Sequence, residues 1–270
     1  MNQRNSTNNE RVGKTAGTAG AIHYSAVAIL LLLVSLCAAS AQESKDKMQD
    51  QSKTARPVEA ELNDLAEKSN KRTPPELIET TRKSNEELEK SGILKRALNV
   101  GAVMPSFKLT DAHDQLINSA DILAKGPIVI VFYRGAWCPY CNLYLRSMQK
   151  YLPEIQSRGA SLIAISGESP DNSLSVEQKD NLKFTVLSDP NLTVARQFGI
   201  VYEMPKALDD AYTSRGLDLR KYYKTEKAEL PLSATYVVDR AGKITFAFLD
   251  VDYKHRAEPA DILAALAKLK

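Results

Sequence analysis

The sequence predicts an α/β fold of three layers, a central sheet between helices, with a helical extension in front of it. The first observation is residues 128–132, where five apolar residues in a row, four of them β-branched, indicate a buried strand. The second is the alternation of strand and helix patterns beyond Gly101. The third is a hairpin pattern around residues 240–243, followed by a helical pattern over 261–269. This succession is typical of a three-layer α/β sandwich.

The first 41 residues predict an export signal rather than a part of the fold. Three basic residues and one acidic residue precede an uninterrupted small or apolar run from Ala26 to Ala39. Ala39-Ser40-Ala41 then fits the cleavage rule, so we expect residues 1–41 to be a signal peptide and the mature protein to be periplasmic or extracellular. The run is short for a transmembrane span, and an uncleaved membrane anchor over residues 26–41 is the alternative.

Residues 42–98 predict a polar tether and a helical lead-in. The stretch over residues 42–56 is dominated by Glu, Lys, Asp, Gln and Ser, which favours a flexible tether. From Leu62 to Leu98, apolar residues recur in an amphipathic pattern that is broken at Thr73-Pro74-Pro75. The apolar stripe is narrow, which favours helices that pack on the following domain as a collar. A dimerisation arm, and therefore a homodimer, is the alternative.

The domain itself is predicted over residues 99–270. The helix after the cysteines is amphipathic, because apolar residues recur from Leu145 to Ile155 at spacings of three and four. Residues 203–227 read as a polar insertion that is helical in part. In chain order we predict strands over 106–110, 128–132, 161–166, 185–187, 234–238 and 244–249, and helices over 118–123, from 139 onward, 169–181, 190–198 and 261–269.

Charge and cysteine content narrow the class of function. The formal net charge is +3 for the whole chain, which gives no reason to expect a nucleic-acid partner. Removal of residues 1–41 also removes Cys37 and leaves Cys138 and Cys141. One closely spaced pair in an exported protein fits a redox site better than a disulfide framework, which uses several distant pairs. We expect neither a cofactor nor a metal.

The cysteine pair is predicted to lie at the junction between the central strand and the following helix. The first turn of a helix has unpaired N–H groups and a partial positive charge, which stabilise a thiolate. Pro139 is tolerated there, and cysteines three residues apart can close a disulfide with little backbone movement. A structural disulfide or half of a zinc site are the alternatives, but zinc requires two more ligands.

The sequence around the pair resembles a known family. Residues 132–143, FYRGAWCPYCNL, resemble the peroxiredoxin-like branch of the alkyl hydroperoxide reductase and thiol-specific antioxidant group, which has the thioredoxin fold. The resemblance extends from about Leu98 to Lys270. It also includes the stretches VMPSF (103–107), LSDP (187–190), FGI (198–200) and ATYVVD (234–239).

This resemblance implies a thioredoxin-like three-layer α/β/α sandwich and a thiol-dependent peroxidase with antioxidant activity. Such an enzyme reduces hydrogen peroxide or organic hydroperoxides, forms a redox-active disulfide between Cys138 and Cys141, and is regenerated by an external dithiol such as thioredoxin. One alternative is an exported thiol–disulfide oxidoreductase. Another is a metal-binding or redox-inactive protein of the same fold.

Which cysteine attacks first is left open by two arguments. Aligned to the family pattern, Cys141 takes the position of the peroxide-attacking cysteine, Cys138 that of a threonine and Arg134 that of a proline. In thioredoxin-like exchange, by contrast, Cys138 would attack and Cys141 would resolve. The family register favours Cys141. The arginine that the family uses to bind peroxide is missing, because its position is occupied by Ser233.

Three neighbours of the pair are predicted to support it. Arg134 can supply positive charge to the thiolate or be an ordinary loop cation. Trp137 can limit access to the sulfurs or simply fill the core. Tyr140, between the cysteines, can donate a hydrogen bond to a bound peroxide or cover the site. His255 reads as a surface residue rather than a metal ligand.

Overall fold

The structure is a computed structural model that describes residues 56–269. The predicted signal peptide or anchor, and the tether as far as residue 55, lie outside the described residues. In the part that is described, no helix is both long enough and apolar enough to span a membrane.

Three helices form the extension: α1 (Pro57–Asn70), α2 (Pro75–Lys90) and α3 (Ile93–Arg96). The two long helices begin on a proline, which the first turn accepts because its N–H has no partner there. On α1, Val58 and Leu62 are buried in the same apolar cluster as the cysteine helix. The Glu59 backbone N–H also donates to Glu258 Oε1 at 2.7 Å. The extension therefore packs directly against the domain.

A seven-stranded sheet forms the centre of the domain, in the order β2-β1-β5-β4-β3-β8-β9. Neighbouring pairs among β3, β4 and β5 are parallel, and the remaining pairs are antiparallel. The strands are β1 (Lys108–Asp111), β2 (Leu116–Asn118), β3 (Ile128–Phe132), β4 (Ser161–Ser166), β5 (Thr185–Ser188), β8 (Thr235–Val238) and β9 (Ile244–Phe248). Two further strands, β6 (Val201–Glu203) and β7 (Glu229–Pro231), pair separately.

Helices cover both faces of this sheet. They are α4 (Ser119–Lys125), α5 (Pro139–Ser157), α6 (Pro170–Asp180), α7 (Thr193–Gln197), α8 (Lys206–Thr213), α9 (Leu219–Tyr223) and α10 (Pro259–Ala267). Alternate residues of β3 point to opposite faces, as the strand period requires. Val129 and Val131 pack with α1, α5 and α10, whereas Ile130 and Phe132 pack with α7, α8 and α9. The predicted three-layer α/β/α architecture is confirmed.

The structure differs from the expected elements at two places. The first strand begins at Lys108 rather than Ser106, because the Phe107 N–H donates to Ser119 Oγ and the Phe107 carbonyl accepts from the Ser119 N–H, instead of pairing with a neighbouring strand. The insertion over 203–227 contains α8 and α9, and it is less peripheral than its polar composition indicated. Tyr223 is fully buried, since its side chain packs into the core beside the cysteine loop.

We expect Leu62→Ala to destabilise the domain, because Leu62 is buried against the cysteine helix although it belongs to the extension. Truncation of a buried leucine typically lowers the free energy of unfolding by about 2–5 kcal/mol. Leu65→Ala, on the same helix but only partly buried, is the control and should cost less. Chemical denaturation compares the two variants. If both variants lose the same small amount of unfolding free energy, the packing of α1 against the domain is contradicted.

Candidate active site

The two cysteines lie at the junction between β3 and α5. Cys138 is the N-cap of α5 and Cys141 is in its first turn, with Pro139 as the first helical residue. The Cys138 backbone N–H donates to the Gly135 carbonyl at 3.1 Å, which closes the turn. Both are free thiols, and each is only 1% exposed. The sulfurs are therefore held at a fixed place beneath the surface.

The turn requires glycine at position 135. Gly135 has a φ of +140°, and a Cβ there would lie 2.5 Å from Trp137 Nε1 and 2.9 Å from Glu168 Oε1. A side chain would therefore displace the segment that carries Cys138.

Two hydrogen-bond donors converge on the Cys141 sulfur. The backbone N–H of Arg134 and the guanidinium Nη2 of Arg256 each lie 3.4 Å from Sγ. Arg256 comes from the loop between β9 and α10, residues 249–258, which we call the β9–α10 loop. Its Nη1 donates to the carbonyls of Tyr253 and His255, so the side chain is fixed while Nη2 faces the sulfur.

These contacts separate the two thiols in acidity. Burial alone would raise the pKa of Cys141, but the hydrogen bond from Cys138 and the charges of Arg256 and Arg134 lower it to about 5. Burial raises the pKa of Cys138, and the adjacent Cys141 sulfur raises it further. These opposite directions favour ionisation of Cys141 before Cys138.

Arg134 acts on the site through its backbone N–H as well as through its charge. Its backbone N–H, not its guanidinium, contacts the Cys141 sulfur. The guanidinium is buried among aromatic rings, 3.9 Å from the Tyr253 ring centroid and 4.9 Å from that of Trp137, and it donates to Tyr212 Oη at 2.9 Å. In the described part of the chain, its Nε has no hydrogen-bond partner. The cation is held by cation–π contacts, and its charge acts on both thiols from a distance.

Trp137 and Tyr140 belong to the aromatic cover of the site. Trp137 packs edge-on against Tyr212, with ring centroids 5.7 Å apart. Tyr140 packs edge-on against Tyr253 at 5.5 Å, and both rings border a cleft of about 520 Å³. The cleft is lined by α1, α2 and the β9–α10 loop. Its carboxylates are Glu86, Glu89, Asp250 and Asp252, and its basic side chains are Arg82, Lys254 and His255. This cleft reaches the cover over the thiols.

Sequence reasoning missed Arg256. Ser233 stands where the family has its peroxide-binding arginine. It is 2% exposed, and its Oγ has no hydrogen-bond partner in the described structure. Arg256 supplies the guanidinium from 23 residues further along the chain. The available signal was a basic residue directly before Ala257-Glu258-Pro259, where the last helix begins. His255 itself is exposed and pairs with Asp250 at 2.8 Å.

Glu168 is the second residue that sequence reasoning missed. It follows β4, is 0% exposed, and its Oε2 accepts a hydrogen bond from the Ala136 N–H at 2.8 Å. Its Oε1 has no partner. Burial raises its pKa to about 7, an effect that the charge of Cys141 reinforces. A buried carboxyl therefore holds the turn that precedes Cys138. Among residues 56–269, no cluster of His, Cys, Asp and Glu suited to a metal ion occurs.

The sequence of this chain is similar to those of known proteins. Residues 100–247 match the AhpC/TSA family, which is more than half of the chain. The chain is 28% identical over 103 residues to Peroxiredoxin Bcp of Escherichia coli, a match that covers 38% of this chain and 65% of that protein. It is 27% identical over 173 residues to Alkyl hydroperoxide reductase E of Mycobacterium tuberculosis, covering 63% of this chain and 98% of that one.

A solved structure supports the fold. Peroxidoxin BcpB from Mycobacterium tuberculosis superposes with a TM-score of 0.51 at 20% identity, covering 64% of this chain and 99% of that chain. The extension and Arg256 both lie outside the segment that matches the family.

We expect Arg256→Met to raise the pKa of Cys141, because it removes the closest positive charge while keeping an apolar stem. The thiolate fraction at about pH 6 should fall by roughly a factor of two or more, as expected for loss of one adjacent charge. Ultraviolet absorbance of the thiolate, titrated against pH, measures this. Arg146→Met is the matched control, since Arg146 is on α5 but pairs with Asp180 away from the sulfurs. Equal titrations of the two variants would contradict the role of Arg256.

Proposed function

The chain belongs to the AhpC/TSA family, and we propose that it is a thiol-dependent peroxidase that reduces hydrogen peroxide or organic hydroperoxides. The observation that carries the proposal is the Cys141 sulfur, buried between an arginine guanidinium and a backbone N–H and next to a protonated Cys138. A thiolate at neutral pH is the form that attacks a peroxide. A neighbouring thiol is what converts the product into a disulfide.

In the first step, the Cys141 thiolate attacks one oxygen of the O–O bond. The sulfur becomes a sulfenic acid, and the other oxygen leaves as water or an alcohol after it takes up a proton. Negative charge develops on the leaving oxygen. Arg256 and the Arg134 N–H lie beside the attacking sulfur and are fixed before the reaction, so they can stabilise negative charge that develops close to it without rearrangement.

In the second step, Cys138 resolves the sulfenic acid. Its thiol condenses with the Cys141 sulfenic acid, water leaves, and the Cys138–Cys141 disulfide forms. The spacing of three residues at the start of α5 brings the sulfurs into reach of each other. An external dithiol, such as thioredoxin, then restores the thiols by exchange.

Access to the sulfurs depends on the aromatic cover. Tyr140 is 4% exposed, and Tyr253 packs on it from the β9–α10 loop. A peroxide is small enough to pass through a side-chain fluctuation, whereas a protein dithiol has to displace this pair of rings. We therefore propose that the reductant reaches the disulfide through the cleft beside Tyr140.

Thiol–disulfide exchange with protein substrates is the second candidate function, and the Cys-Pro-Tyr-Cys order is what favours it. In that chemistry Cys138 would be the attacking thiolate. Its burial and its raised pKa disfavour this role. The peroxidase assignment accounts for the acidity of both thiols, so we prefer it.

We also propose that the protein acts outside the cytoplasm, since residues 1–41 have the layout of a secretory signal. The expected mature N-terminus is at or near Gln42. Mass spectrometry of the protein from its native host measures this directly. An intact N-terminus on membrane-bound protein would instead support an anchor over residues 26–41.

We expect Cys141 to be the residue that peroxide oxidises. After one equivalent of hydrogen peroxide, Cys138→Ser should carry a dimedone adduct at Cys141 and should turn over only with a small thiol reductant. Cys141→Ser should lose rapid peroxide consumption. In the unaltered protein, peptide mapping after peroxide treatment should find the Cys138–Cys141 disulfide. Labelling confined to Cys138 in the Cys141→Ser protein would reverse the assignment and favour disulfide exchange, and disulfide-linked dimers through Cys141 would exclude internal resolution.

A further inference from the structure

Tyr253 is in direct contact with both arginines of the site. Its ring lies against the Arg134 guanidinium, whose Cζ is 3.9 Å from the ring centroid, and packs edge-on on Tyr140 at 5.5 Å. Its backbone carbonyl accepts a hydrogen bond from Arg256 Nη1. Nη2 of the same guanidinium lies 3.4 Å from Cys141 Sγ. A residue that only covered the thiols would need the ring contacts and not the one through its carbonyl.

The β9–α10 loop has internal hydrogen bonds that shape it. Asp250 Oδ1 accepts from the Asp252 N–H at 2.8 Å, and Asp252 Oδ1 accepts from the Lys254 N–H at 3.0 Å. The Asp252 carbonyl accepts from the His255 N–H at 3.0 Å. Because these bonds join residues of the loop to one another, they do not set its position against the cysteines. The ring of Tyr253 does, since it reaches out of the loop to the cysteine turn and to the start of α5.

Arg256 is held between two anchors of this loop. It lies three residues after Tyr253 and two residues before Glu258. At the far anchor, Glu258 Oε1 accepts the Glu59 N–H of α1 at 2.7 Å. At the near anchor, the face of the Tyr253 ring is stacked on the Arg134 guanidinium, an arrangement in which the ring quadrupole attracts the cation. The near anchor is the one that lies beside the cysteines.

We propose that Tyr253 is a positioning residue of the oxidation step: its ring, stacked on Arg134, places its own carbonyl and thereby the Arg256 guanidinium against the Cys141 sulfur. The ring contributes through its face rather than its hydroxyl. Burial raises the pKa of the Tyr253 phenol, so the ring is neutral where Cys141 titrates. The consequence for peroxide reduction rests on the function proposed above, whereas the consequence for the thiolate does not require a peroxide.

The thiolate of Cys141, titrated by its ultraviolet absorbance, tests the proposal. All variants carry Cys138→Ser, so that differences between them come from Cys141. Tyr253→Leu keeps an apolar side chain but loses the aromatic face, and its thiolate fraction at about pH 6 should fall by roughly a factor of two or more, as for displacement of an adjacent charge. Tyr253→Phe should titrate like the parent protein. The charged groups of the loop are the same in every variant, so their titration cancels.

Tyr222→Leu is the matched control. Tyr222 is also a partly buried tyrosine, but it is on α9 and packs against the apolar cluster on the other face of the sheet from Cys141. Its replacement should leave the titration of Cys141 unchanged while costing a comparable amount of packing. Denaturation of each variant shows whether stability alone has changed.

A double substitution shows whether Tyr253 acts through Arg256. In protein that already carries Arg256→Met, Tyr253→Leu should raise the pKa of Cys141 by much less than it does alone, because the group that it positions is gone. Two residues that act independently would instead give the sum of the two single effects. Additive effects would therefore overturn the proposal.

The rate of peroxide consumption in otherwise unaltered protein gives the second readout. Tyr253→Leu should slow it more at about pH 6 than at about pH 9, where Cys141 is ionised even without its nearest cation. An unchanged titration in folded Tyr253→Leu, or an equal shift in Tyr253→Phe, would overturn the positioning role. Should the leucine variant not fold, trifluorinated phenylalanine at position 253 keeps the shape of the ring and weakens its attraction for a cation, and no shift relative to Tyr253→Phe would overturn the role as well. A shifted titration in a protein that consumes no peroxide would disprove the function and leave the positioning role standing.

Discussion

The stabilisation of one buried thiolate is the constraint on which the site depends. A sulfur that is 1% exposed can ionise at neutral pH only if donors replace the lost water, and here the Arg134 N–H and the Arg256 guanidinium do so. Each donor has to be held in turn. Gly135 allows the turn that directs the Arg134 N–H, and the carbonyls of Tyr253 and His255 fix Arg256. The pKa difference between the two neighbouring cysteines therefore depends on two separate chain segments, the turn before Cys138 and the β9–α10 loop.

The sequence was sufficient to predict the features that follow from local structure. The β-branched run of β3, Pro139 at the first helical position and the apolar period of α5 are all short-range features, and they located Cys138 and Cys141 at a strand–helix junction. The three-layer architecture followed from the succession of such elements. Residues adjacent in sequence to the cysteines, such as Trp137 and Tyr140, could be expected beside them because a tight turn leaves them no other place.

The residues that the sequence did not reveal are those that reach the site through the fold. Arg256 arrives from the β9–α10 loop, Glu168 from the end of β4 and Tyr212 from α8. Nothing in their local patterns marks them, since an arginine or glutamate in a loop is normally solvated. Their properties come from burial, which surrounds the Arg134 guanidinium with aromatic rings and raises the pKa of Glu168 to about 7. The polar composition of residues 203–227 concealed Tyr212 and Tyr223 for the same reason.

The relocation of the arginine shows why a missing motif residue is weak evidence against a function. An electrostatic requirement specifies where a charge lies relative to the sulfur, not which part of the chain provides it. Ser233 comes just before β8 and Arg256 follows β9, and because Thr235 pairs with Phe248 both residues lie beyond the same end of this strand pair. From there Arg256 directs its Nη2 to the Cys141 sulfur. Because Arg256 lies beyond the segment that matches the family, its position also ties the site to α10 and, through Glu258 and Glu59, to the extension. The chemistry of the family segment thus depends on contacts that the rest of the chain supplies.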